Sequence, residues 1–182
     1  MNIAIYCSAS SNLPRELIDD ATHLGAWIGA NSCRLVYGGV DAGLMSAVAS
    51  AAKTSGAEIV GVVPVRRYDK ESPLNDVSIH VAELSDRKRT MELLADVFIA
   101  LPGGFGTLDE LMSAFAHLNF TGLSKPVLLY NAGGIFDPLL EQFDLMVEHG
   151  MMAPHCLSVL HVADSMPRLV EILNNILNNK EI

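Results

Sequence analysis

The chain is short of positive charge, poor in cysteine and without any long apolar run. Twelve Lys and Arg stand against 21 Asp and Glu, a formal net charge of −9. That balance argues against a broad surface for a nucleic-acid polymer or an acidic membrane, though not against one local phosphate site. No stretch approaches the ~20 apolar residues of a membrane span. Met1-Asn2 leads straight into Ile3-Ala4-Ile5-Tyr6, with no basic region of the kind that opens a signal peptide, so a cytoplasmic location is expected. Cys7, Cys33 and Cys156 are unevenly spaced and form no Cys-x-x-Cys, which points to a reducing compartment and to packing roles. The six histidines (His23, His80, His117, His149, His155, His161) have no metal-ligand spacing, so no metal is expected. A Gly-x-Ser-x-Gly elbow and a Gly-Lys-Ser/Thr P-loop are both missing. No lysine has the surroundings of a pyridoxal site. Repeats, low-complexity tracts and linkers are absent as well.

What is present is a regular alternation of strand and helix patterns. The chain has 182 residues, half of them hydrophobic, which suits a single domain over 1–182 with one large core. Strands are expected at 2–7, 34–37, 57–63, 79–81, 97–101, 127–130 and 159–162. Helices are expected at 14–30, 44–54, 86–95, from the 103–107 turn to about 119, at 135–148 and at 166–178, with Ser85 as an N-cap. This is the pattern of an α/β, Rossmann-like doubly wound parallel sheet that binds ligands at the carboxyl ends of its strands. Residues 64–76, with Arg66, Arg67 and Tyr68, form the longest irregular stretch and read either as a solvated loop or as a lid.

The central stretch runs from Asp96 to Glu110: a buried strand, Pro102, then Gly103-Gly104-Phe105-Gly106-Thr107 opening a helix. The three glycines are expected to supply positive φ and to let a ligand approach the backbone. Unpaired amides and the helix dipole at such a turn suit a phosphate. A dinucleotide fingerprint does not fit, because the third position after Gly104-Phe105-Gly106 is Asp109 rather than glycine. What remains is Pro-Gly-Gly-x-Gly-Thr-x-x-Glu with Arg87-Lys88 upstream. That combination resembles the LOG family, the cytokinin-activating phosphoribohydrolases often labelled lysine decarboxylases, and the likeness covers nearly the whole chain. A second turn, Gly38-Gly39-Val40-Asp41-Ala42-Gly43-Leu44-Met45, departs from the family's Gly-Gly-Gly-x-x-Gly-Leu-Met-Gly at Val40 and Ser46. Gly38 and Gly39 either shape the site or only turn the chain.

Arg87 falls on one helical stripe with Met91 and Leu94, where it either reaches an anion or lies across the core rim. Glu110 falls about 140° from a stripe drawn through Leu108, Met112 and Phe115, and so is expected outside the core. A carboxylate near a ribose can stabilise the positive charge that grows as a base departs. The resemblance implies Arg87 and Glu110 as the catalytic pair. It further implies substrate contacts from Lys88, Gly39, Gly103, Gly104, Phe105, Gly106 and Thr107. The implied reaction is hydrolysis of a cytokinin riboside 5′-monophosphate, or of AMP, to free base and ribose 5-phosphate. No cofactor is implied, and a homodimer is, to which an exposed Ala114 and Ala116 would contribute. The competing reading is a non-catalytic carrier of a nucleotide or of molybdenum cofactor.

Overall fold

Seven strands of four to six residues, rich in Ile, Val, Leu and Phe, pair side by side and all in parallel. They are β1 (Asn2–Tyr6), β2 (Arg34–Tyr37), β3 (Ile59–Pro64), β4 (Val77–Val81), β5 (Val97–Ala100), β6 (Val127–Tyr130) and β7 (Leu160–Ala163). Six helices connect them: α1 (Arg15–Ala30), α2 (Gly43–Thr54), α3 (Leu84–Leu94), α4 (Phe105–Thr121), α5 (Asp137–Glu148) and α6 (Met166–Leu177). The structure, a computed structural model, describes residues 1–178, with the side chains of residues 67–69 excepted. The sheet order is β4-β3-β2-β1-β5-β6-β7, the doubly wound α/β arrangement expected from the sequence.

Alternation along each strand divides the core in two. Ile3, Ile5, Val97, Ile99, Leu128 and Tyr130 face α1, α2 and α6, while Ala4, Tyr6, Phe98, Ala100, Val127 and Leu129 face α3, α4 and α5. The helices α1 and α2 approach closely because both surfaces carry small residues: a Cβ at Gly25 would overlap the Val48 carbonyl, and Ala51 and Ala52 lie beside it. Between β1 and β5 the winding reverses. The loops after these two strands part toward opposite faces, leaving a crevice at the carboxyl end of the sheet. Each connecting helix runs back from that end, so the first turns of α2, α3 and α4 all border it.

Several boundaries differ from those expected. Glu83, not Ser85, caps α3, through reciprocal bonds with the backbone of Asp86 and the Asp86 carboxylate. The irregular stretch contains a 3-10 helix over Val65–Lys70. The Arg67 and Tyr68 side chains lie outside the described residues. Among the described residues, no helix is long and apolar enough to cross a membrane.

Candidate active site

The crevice between β1 and β5 is a cleft of about 490 Å³, within the ~300–1,000 Å³ usual for small-molecule sites. Its floor carries Cys7, Arg87, Thr107 and Glu110; Ser8, Ala9, Gly104 and Gly106 form one part of the rim, and Val40, Ala42, Met45 and Lys70 the other. Each comes from the carboxyl end of a strand or from the helix after it.

Arg87 and Glu110, 23 positions apart, meet at the floor. An Nη2–Oε1 distance of 2.9 Å joins them, with side chains only 17 % and 11 % exposed. The expectation that Glu110 lies outside the core is therefore wrong. The buried face of α4 runs through Thr107, Leu111, Ala114, Phe115 and Leu118 and includes Glu110; Leu108 and Met112 are only half-buried. A stripe drawn through Leu108 and Met112 turns the helix by too much, because α4 is covered by the sheet on one side and by α3 on the other. The same error exposed Ala114, which is fully buried; Ala116 is exposed.

Burial pushes the Glu110 carboxyl up to about 7; Arg87 opposes the shift, Asp109 adds to it, and Lys88 opposes it. Glu110 thus changes charge close to neutrality, as a group engaged in proton or charge chemistry does. Beside it, burial holds the Cys7 thiol well above the usual range, with the Glu110 charge adding and Arg87 opposing. Cys7 is packing at the cleft floor, not a thiolate nucleophile.

Glycines make the room. A Cβ at Gly38 would collide with the Arg87 guanidinium, so Gly38 shapes the site. Gly39 turns the chain: its φ is +69°, and its carbonyl accepts from the Ser72 amide at 2.8 Å and from Asn75 Nδ2 at 3.2 Å. It does not line the cleft. Gly103, Gly104 and Gly106 are not in the left-handed region, contrary to expectation. Gly103 is small because Thr107 packs against it, whereas Gly104 and Gly106 face open space where a side chain would intrude on the cleft.

The start of α4 is open to a ligand. Gly104 is its N-cap and no side chain caps it, so the first-turn amides are not taken by a side chain. The Thr107 hydroxyl and the Arg87 Nε are buried with no partner in the protein. A ligand rich in acceptor oxygens would satisfy both. Of the other expected contacts, Lys88 reaches Asp109 at 2.6 Å, and the Phe105 side chain, 92 % exposed, stands in solvent. Ser8, Ala9, Met45 and Lys70 were missed. Each lies in a loop or at a helix start whose nearness to the site follows only from the strand order. Among the described residues, no three His, Cys, Asp or Glu side chains are grouped to hold a metal.

Residues 45–173 match the family described as "Possible lysine decarboxylase". Two rice (Oryza sativa subsp. japonica) proteins, each described as a probable cytokinin riboside 5′-monophosphate phosphoribohydrolase, are 34 % and 35 % identical over 94 % of this chain and 71 % and 76 % of their own. An Arabidopsis thaliana cytokinin riboside 5′-monophosphate phosphoribohydrolase is 34 % identical over 96 % of this chain and 76 % of its own. The chain belongs to this family, the LOG family. Phosphoribohydrolases, the enzymes after which its relatives are named, cleave N-glycosidic bonds.

Among solved structures, a molybdenum cofactor binding protein of Rippkaea orientalis superposes with a TM-score of 0.74 at 25 % identity, over 97 % of this chain and 96 % of its own. A molybdenum cofactor carrier of Chlamydomonas reinhardtii superposes at 0.75 and 23 % identity, over 97 % and 98 %, and shows the shared fold alone. The LOG fold therefore also occurs in proteins described as cofactor carriers, and fold does not decide between the two readings.

Proposed function

We propose that this protein hydrolyses the N-glycosidic bond of a nucleoside 5′-monophosphate, a cytokinin riboside monophosphate or AMP, releasing free base and ribose 5-phosphate. The observation that carries this reading is the buried Arg87–Glu110 pair beside the uncapped start of α4. A carrier has no need of a carboxyl poised near neutrality at the floor of its cleft.

In this reading the 5′-phosphate rests on the first-turn amides of α4, with the Thr107 hydroxyl and Arg87 as added donors. The ribose lies over Glu110, whose carboxylate stabilises the oxocarbenium-like charge or orients the attacking water. Val40, Ala42 and Met45 offer the base apolar surface along the cleft wall. The reading takes the working unit as a homodimer in the cytoplasm; Leu93 on α3 and Phe105 and Phe120 on α4 are exposed apolar side chains available to a second copy.

The test is incubation with AMP and with isopentenyladenosine monophosphate, followed by chromatography for free base. Base release that Glu110→Gln abolishes supports the reading. Tight binding of either nucleotide without base release overturns it in favour of a carrier.

A further inference from the structure

Among the described residues, most cationic side chains sit on a carboxylate. Arg89 donates to His117 instead, and Lys125 to the carbonyls of Glu92 and Ala95. Arg66 and Lys70 have no such partner, and of these two only Lys70 lines the cleft. Its backbone is nevertheless held. Lys70 ends the 3-10 helix Val65–Lys70, and its carbonyl accepts from the Asp41 amide at 3.2 Å. The next residue, Glu71, bridges Val40 and is tied to His80 on β4 at 2.8 Å. Ser72 then donates its amide to the Gly39 carbonyl at 2.8 Å. A flexible, exposed ammonium thus stands on a fixed base beside Val40, on the wall that the proposed reading gives to the purine.

Cleavage of the glycosidic bond makes charge at two places. C1′ loses the electron pair of its bond to N9 and turns cationic, and the purine takes that pair. Water gives its hydroxyl to C1′ and, in the end, its proton to the base. Until that proton arrives, the departing base carries negative charge that calls for a donor. The groups already given roles act elsewhere: Glu110 at the ribose, Arg87 and Thr107 toward the phosphate. Of the remaining lining, Val40, Ala42 and Met45 have no polar donor and the Cys7 thiol is a weak one. The Ser8 hydroxyl is neutral and already accepts from the Ser10 amide at 3.1 Å. A cation makes the stronger bond to a charged acceptor, and Lys70 is the cation left in the lining.

Resting on the hydrolase reading above, we infer that Lys70 is the leaving-group residue of this cleft, its ammonium donating to a purine ring nitrogen (N3 or N7) as the base takes up charge. Lys70 keeps its proton throughout; only a hydrogen bond strengthens.

Lys70→Met keeps the stem and removes the charge. The side chain is exposed, so the thermal midpoint should not move. Turnover of AMP, followed by base release, should fall about tenfold, less than for a buried donor because solvent screens the rim. KM should stay within about threefold, since the charge on the base exists only in the transition state. Product inhibition by ribose 5-phosphate, which carries no base, should be unchanged. With 6-chloropurine riboside 5′-monophosphate, whose base bears negative charge more readily, the loss of turnover should be clearly smaller. Lys70→Arg should restore part of the turnover of AMP. An equal loss on both nucleotides, as a loosened loop would give, overturns the inference. Weaker inhibition by ribose 5-phosphate also overturns it, by putting Lys70 on the phosphate, and so does unchanged turnover of AMP. If the wild type releases no base from either nucleotide, it is the hydrolase reading that fails, and the role of Lys70 falls with it.

Discussion

Glu110 links the chemistry of the cleft to the stability of the fold. Its carboxyl titrates near 7 when folded against an ordinary value of 4.5, so the folded state holds the proton more tightly than the unfolded one. The stability this confers is fully present below pH ~4.5 and is lost as pH rises through 7. Glu110→Gln removes that loss. Relative to the wild type, the variant should gain roughly 2–3 kcal/mol between pH 5 and 8, read from denaturant melts at each pH. If Glu110 acts as proposed, on the charge that develops in the transition state, turnover of the variant should fall by ~10²-fold or more. Equal melts across that range would mean that the carboxyl is solvated. Gly38 offers an independent handle on the same pair. Gly38→Ala puts a methyl where the Arg87 guanidinium lies. A cost of about 1–3 kcal/mol is expected from overpacking, with kcat/KM down by more than about tenfold. Combined with Arg87→Ala it should cost little further activity, because both changes remove one group. Additive losses would show that Gly38 acts elsewhere.

At the scale of elements, the start of α4 should make activity depend on phosphate. In the proposed reading, the uncapped first-turn amides and the unpartnered Thr107 hydroxyl would give a 5′-phosphate contacts that a nucleoside cannot use. Binding energy from such a remote group can orient the reacting sugar. With charge-assisted bonds worth ~1.5–3 kcal/mol each, adenosine should be cleaved at least about tenfold less efficiently than AMP in parallel assays. Comparable rates would remove the phosphate from the account. The same element marks how far the sequence could be read. Its strand, glycine turn and helix were legible because apolar run, breaker and periodicity agree over 97–121. The strands β2 and β6 were legible to the residue for the same reason. Which face α4 buries was not, because a helix wedged between a sheet and another helix is covered over more than one stripe, and a polar residue on the second stripe reads as surface. The cap of α3 was missed for a smaller reason: Ser85 and Glu83 can both cap, and only the fit of Asp86 to Glu83 chooses.

For the whole molecule, alternation was enough to read a doubly wound sheet, but not the strand order that brings Lys70 and Ser8 to one cleft, since that depends on which strands pair. The outer surface carries the remaining expectation. Phe105, Ala116 and Phe120 fall within about 60° of one another around α4, and Leu93 is exposed on neighbouring α3. Phe105 and Phe120 are each 92 % exposed. Large apolar side chains grouped on one face mark an association surface more often than open water. Light scattering at micromolar concentration should give twice the 19.6 kDa of the chain, and a single 19.6 kDa species would refute the dimer. Phe120→Lys, or Leu93→Lys with it, should shift the mass toward the monomer without disturbing the fold, since neither side chain contributes to the core. Phe120 lies fifteen residues along α4 from Phe105, about 22 Å, too far to touch a nucleotide seated at the helix start. Activity lost together with dimer mass in Phe120→Lys would therefore come from the missing second copy. Activity retained in the monomer would mean that one chain holds the complete site, leaving the exposed face a matter of assembly alone.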